Sequence, residues 1–110
     1  MKHISLKDTE NKSRKGDFAE YYAVTWLWDH GYEVFQNSGC TGPVDMIALK
    51  DSKTTLIDVK TYHQRKSGPA IGQWNDCSGA GRTEEQKRLG VQLLAFNPNT
   101  RELTFMKHRT

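Results

Sequence analysis

The sequence predicts an α/β or α+β domain in which helices pack on a sheet. Three observations carry this: a helix-period segment near the start, short strand-like runs in the middle and near the end, and a capping-box sequence opening a second helix.

The helical segment covers residues 13–30. Ser13 suits an N-cap, and Gly31 suits the left-handed stop after the last turn. At 100° per residue, Phe18, Ala19, Tyr22, Ala23, Trp26 and Leu27 form one wide apolar stripe. Glu20 falls at the border of that stripe, so a half-buried place on the rim is expected for it. Trp28 is read with Tyr22 and Trp26 as core or a dimer face. Strand-like runs follow at 33–37, 44–49 and 54–61. Residues 62–81 are rich in Gly, Ser, Asn and Lys and read as a long irregular loop, a length that is usually functional or mobile. Thr83, Glu84, Glu85 and Gln86 form the capping box, and Gly90 ends the helix they open. Runs at 91–96 and 102–106 are strands joined by the turn Asn97-Pro98-Asn99-Thr100.

At 110 residues the chain is expected to be one domain, with residues 1–12 as a mobile basic arm. Its 35% hydrophobic content points to a small core, and its 10% aromatic content argues against disorder. No apolar run approaches the roughly 20 residues that span a bilayer, and no signal-peptide pattern opens the chain, so a cytoplasmic protein with no membrane partner is expected. Cys40 and Cys77 are the two cysteines and stand in no C-x-x-C arrangement. Their spacing to His30 and His63 does not suggest zinc, and reduced thiols are the default. A net charge of +3 is a mild bias towards polyanions.

The stretch 42–60 places one Asp in each of two apolar runs around the polar segment Lys50-Asp51-Ser52-Lys53. If that segment is a four-residue hairpin loop, Leu49 faces Thr54, Ile47 faces Leu56, and Asp45 faces Asp58. Side chains alternate along a strand, so Asp45, Asp58 and Lys60 share one face at one end of the hairpin. Adjacent carboxylates need a proton, cationic partners or a metal ion, and oxygen donors at this density suit magnesium or manganese. Taken singly, Asp45 reads equally as a turn residue and Asp58 with Lys60 as a surface pair. Taken together, with apolar neighbours on both sides, they read as a site.

Glu20 on a first helix, then Gly42-Pro43-Val44-Asp45, then Asp58-Val59-Lys60 resembles the PD-(D/E)XK nuclease superfamily. The strings KGDFAEYYAVTWLWDHGYEV, NSGCTGPVDMIAL and LIDVK are similar to its Holliday junction resolvase branch and related phage or bacterial nucleases, over residues 15–61. The resemblance implies an α/β fold with a restriction-endonuclease-like αβββαβ core, its mixed central sheet flanked by helices, and an endonuclease dependent on Mg²⁺ or Mn²⁺ that hydrolyses DNA phosphodiesters. The chain departs from the pattern in two places: Val44 separates Pro43 from Asp45, and Asp58 stands where Glu is commoner. By the same resemblance Asp45, Asp58 and the Val59 carbonyl hold the ion. Glu20 acts through a water on that ion or through a second ion, and Lys60 orients the attacking water and steadies charge on the phosphate.

Arg14, Lys15, Arg65 and Lys66 are the expected phosphate contacts, although basic runs are more usually solvated surface. Ser38 is placed to touch a phosphate, which turn chemistry explains equally well. Gln86 reads as the capping-box partner of Thr83, while the resemblance implies a Gln near this point that supports the site, a role for which Gln73 competes. Trp74 either stacks on a base or pins its loop to the core. The expected partner is DNA, branched in the sharpest form of the reading, cut by a homodimer whose two-fold symmetry matches two strands. The alternatives are a non-catalytic nucleic-acid-binding module of the same fold and a sequence-specific restriction or homing enzyme.

Overall fold

The computed structural model describes the backbone of residues 12–39, 41–64, 74–76 and 81–106, and the side chains of 16–39, 41–62 and 81–106. The elements, in order, are α1 Lys12–Asp29, β1 Glu33–Gln36, β2 Met46–Lys50, β3 Lys53–Gln64, β4 Trp74–Asp76, α2 Glu84–Leu89, β5 Gln92–Phe96 and β6 Leu103–Phe105. The strands lie in the order β1-β2-β3-β5-β6, with β4 paired separately to β3. Every pairing is antiparallel except that of β3 with β5. A parallel pair needs a crossover connection, and α2 lies within the one that joins β3 to β5.

Helix α1 buries Ala19, Ala23, Val24 and Leu27 against the sheet. The apolar stripe is therefore narrower and slightly rotated from its sequence expectation. Val24 joins the core, Tyr22 and Trp26 are half-buried, and Phe18 and Trp28 stay 42% and 60% exposed. The reason is geometric. Apolar residues occur on several sides of α1, and only the side facing β1, β3 and β5 meets the sheet. Trp28 is thus not a core residue. The helix ends as its glycine implies: Gly31 takes φ +86, Tyr32 N–H donates to the Leu27 carbonyl at 3.0 Å, and Gly31 N–H donates to that of Trp28 at 3.0 Å.

The β2–β3 hairpin turns through two residues, not four. Asp51 and Ser52 take φ 53 and 64, the left-handed pair that a type I′ turn requires. Lys50 and Lys53 are the last paired residues, so the register is unchanged: Leu49 faces Thr54 and Ile47 faces Leu56. Met46, Ala48, Ile57, Leu94 and Phe96 face α1 and are buried. Asp58 and Lys60 lie on the opposite face, paired in register with the buried Leu93 and Ala95 of β5.

The 62–81 expectation needs correction at its start and at 74–76. Strand β3 runs on through Gln64, and Trp74–Asp76 forms β4 against it, pairing Tyr62 with Asp76 and Gln64 with Trp74. A three-residue strand among Gly and Ser has no periodicity of its own; its partner in space makes it a strand. The proposed basic arm falls almost wholly outside the described residues.

Candidate active site

The β2–β3 ladder stops being regular at Asp45. Its N–H donates to the Ile57 carbonyl at 2.8 Å, although Ile57 already faces Met46. Two residues of one strand thus oppose one of the other, a bulge that re-aims the Asp45 side chain. In an unbroken ladder the Val59 amide would meet the Val44 carbonyl. Instead Asp45 Oδ2 accepts the Val59 N–H at 2.7 Å, and the Val44 carbonyl accepts Asn37 Nδ2 at 2.9 Å. The direct Asp45–Asp58 ladder pair expected from the register is therefore absent, yet the two carboxyl groups still come within hydrogen-bonding reach of each other.

Lys60 follows on the same face of β3, its Nζ 3.6 Å from Asp58 Oδ2. A residue's N–H and C=O point to the same edge of a strand, so the Val59 carbonyl shares the edge on which its amide meets Asp45. Asp45, Asp58, Lys60 and the Val59 backbone thus converge where β2 begins and β3 runs past it. Glu20 is half-buried on α1, near enough to feel both aspartates.

The electrostatics follow from that crowding. Burial pushes the Asp45 carboxyl up from 3.8 to about 7; the hydrogen bond with the Asp58 carboxyl and the charges of Asp58 and Glu20 add to the rise, and the Val59 amide opposes it. Glu20 is raised as well, first by burial, then by Asp17 and Asp58. Two carboxyls in hydrogen-bonding reach hold a proton between them, and a cation can take the place of that proton. Two carboxylates and a carbonyl on one edge are hard oxygen donors, a set that fits a divalent cation such as Mg²⁺ or Mn²⁺. Among the described residues no three His, Cys, Asp or Glu side chains are grouped to hold a metal, so backbone oxygen and water would complete such a shell.

The remaining candidates divide. Ser38 is exposed beyond β1 and lines a cleft of about 320 Å³ with Asp17, Glu20, Tyr21, Gln36 and Asn37. Gln86 is 5% exposed and forms the capping box with Thr83, its side chain also reaching the Pro43 carbonyl. Arg14 and Lys15 lie in the first turn of α1 and Trp74 opens β4, but their side chains are outside the described residues, as are Arg65, Lys66, Gln73, Cys40 and Cys77. The sequence reading missed Asn37, which donates to the Thr41 and Val44 carbonyls at 2.6 and 2.9 Å. An Asn at the end of a strand before a glycine turn is its one sequence signal.

No protein-family model matches the chain. A curated "UPF0102 protein" of Caldicellulosiruptor bescii is 38% identical over 60 residues, 53% of this chain and 50% of that protein. The chain therefore spans half the length of the curated relative it matches. The solved structure of a bacterial homing endonuclease, I-Ssp6803I, superposes with a TM-score of 0.59 at 17% identity, over 89% of this chain and 66% of that one. With the mixed sheet and an αβββαβ core made of α1, β1, β2, β3, α2 and β5, that likeness makes the fold restriction-endonuclease-like.

Proposed function

We propose that the protein is a metal-dependent endonuclease that hydrolyses DNA phosphodiester bonds at the Asp45–Asp58–Lys60 site. The observation that carries this reading is the meeting of the two aspartate carboxyls beside a lysine ammonium, at the point where the sheet's ladder opens. Asp45, Asp58 and the Val59 carbonyl would hold the ion, with Glu20 behind them. A divalent cation bound there supplies charge screening for the anionic diester and a more acidic water.

The protein's own groups supply the rest. Asp58 holds the Lys60 ammonium at the rim, where it meets a phosphate oxygen or the attacking water. The Val59 amide fixes one Asp45 oxygen. Glu20 has a raised proton affinity, which suits it to take up a proton beside the site. Ser38 and Gln36 line the neighbouring cleft, where the strand flanking the scissile phosphate would lie. A homodimer acting on branched DNA is the finer form of the proposal, since a two-fold pair can cut two strands symmetrically.

The test incubates the protein with supercoiled plasmid and with a four-way junction in Mg²⁺ or Mn²⁺. Wild type is expected to cut, and Asp58→Ala and Lys60→Ala to bind DNA without cutting. Binding without cutting by wild type in either metal would replace this reading with that of a non-catalytic DNA-binding module. A panel of linear, flap and four-way substrates, with sedimentation of the free protein, tests the branched-DNA and dimer terms.

A further inference from the structure

Beside Asp45 the fold leaves the cleft of about 320 Å³ that Asp17, Glu20 and Tyr21 of α1 form with Gln36, Asn37 and Ser38. Two of its walls adjoin the candidate site. Glu20 is near both aspartates, and the Asn37 N–H donates to the Asp45 carbonyl at 2.9 Å. An occupant of the cleft therefore lies next to whatever the two aspartates face. The volume is at the lower end of small-ligand pockets, about 300–1,000 Å³.

The lining decides what that occupant is. Asp17 and Glu20 bring two carboxyls and none of the lining side chains is cationic, so a phosphate is disfavoured there. Tyr21 offers a different chemistry. It stands 67% exposed on α1, and it is the ridge between this polar cleft and an apolar groove that it forms with Phe18, Tyr22 and Thr25. Gln36 is exposed at the end of β1, and a glutamine amide both donates and accepts hydrogen bonds. An aromatic face beside an amide, with carboxyls to accept further N–H groups, fits a nucleobase, which has a π-face to stack and an edge to bond. In a continuous duplex the neighbouring bases cover both faces, so only a base outside the stack can use Tyr21.

We propose that this cleft holds an unpaired nucleobase next to the scissile phosphate, stacked on Tyr21 and hydrogen-bonded by Gln36. The position beside a scissile phosphate rests on the nuclease reading; the binding of the base does not. The substrate class follows: DNA with an unpaired nucleotide at the site is favoured over continuous duplex.

The experiment measures binding in EDTA by fluorescence anisotropy of labelled duplexes. Three duplexes share one sequence: one fully paired, one with a single bulged nucleotide, and one with an abasic unit as the bulge. The abasic bulge keeps the flexibility of the DNA and removes only the base. Wild type is expected to bind the bulged duplex about tenfold or more tighter than the other two. Tyr21→Ala is expected to bind all three alike, Tyr21→Phe to keep the preference, and Gln36→Ala to lose part of it. Trp28→Ala removes an exposed aromatic residue about two turns along α1, away from the cleft, and is expected to keep the preference in full. Equal binding of the bulged and abasic duplexes by wild type, or a preference that survives Tyr21→Ala, overturns the proposal. If wild type cuts no DNA in Mn²⁺ while the base preference holds, the nuclease reading fails and the base subsite stands. Cutting in Mn²⁺ with no base preference keeps the nuclease reading and removes the subsite.

Discussion

Asp45→Asn replaces the more crowded carboxyl with a neutral group of the same shape. The amide oxygen still accepts the Val59 N–H, and the amide nitrogen donates to Asp58 as the shared proton does. The variant therefore imitates the protonated pair at every pH. In the wild type, the folded-state affinity of Asp45 for its proton is raised from 3.8 to about 7. A raised carboxyl contributes stability that is full below its unfolded value and is lost as pH rises through the folded one, so metal-free wild type weakens between about pH 4 and pH 7. At 1.36 kcal/mol per unit the ceiling is about 4 kcal/mol, and solvent screening at a half-buried site reduces it to about 1–2 kcal/mol. That corresponds to a melting temperature about 4–10 °C higher for Asp45→Asn than for wild type at pH 8, with the two converging by about pH 4.5. Circular-dichroism melts in EDTA from pH 4.5 to 8 measure it. A variant no more stable than wild type at pH 8, or a gap that does not close on acidification, would refute the crowded-carboxyl account.

Other predictions follow from the same geometry. Mg²⁺ or Mn²⁺ at 100 times its dissociation constant is expected to stabilise wild type by about 2.7 kcal/mol at pH 8 and leave Asp58→Ala unmoved; identical melts with and without the ions would sink the ion site. Leu94→Ala, at a fully buried position beside Val59, is expected to cost about 2–5 kcal/mol in urea unfolding, and a loss under 1 kcal/mol would contradict the packing of β5 at the centre of the sheet. Replacing Asp51-Ser52 with Asn-Gly puts the residues that a type I′ turn favours at its two left-handed positions and is expected to add about 0.5–1 kcal/mol without altering DNA cleavage.

Much of the site was legible because strand alternation is strict. The register through Ile47 and Leu56 followed from where the polar segment interrupts two apolar runs, and it needed only the parity of the hairpin, which a two-residue and a four-residue loop share. The bulge was not legible. It arises because an aspartate side chain outcompetes a carbonyl for the Val59 amide, a choice made by Asn37 and Gln86 from elsewhere in the chain. Strand β4 was hidden for a related reason, since three residues become a strand only through a partner that periodicity does not reveal. In α1 the excess of aromatic residues blurred which side faces inward, and the small residues Ala19 and Ala23 marked it better than Phe18 did.

The two aspartates hang from unlike supports. Asp58 belongs to the middle of β3, one residue past the last pair with β2, and is paired with β5 and backed by buried Leu93 and Ala95, so it acts as a fixed jaw. Asp45 sits on a span tied by a few side-chain amides, which makes it the adjustable jaw. Opening the gap between them asks only that those ties slip, and leaves the hydrophobic sheet beneath undisturbed. Under the proposed ion-binding role, a vice built this way would accept cations of different radius without remodelling its frame.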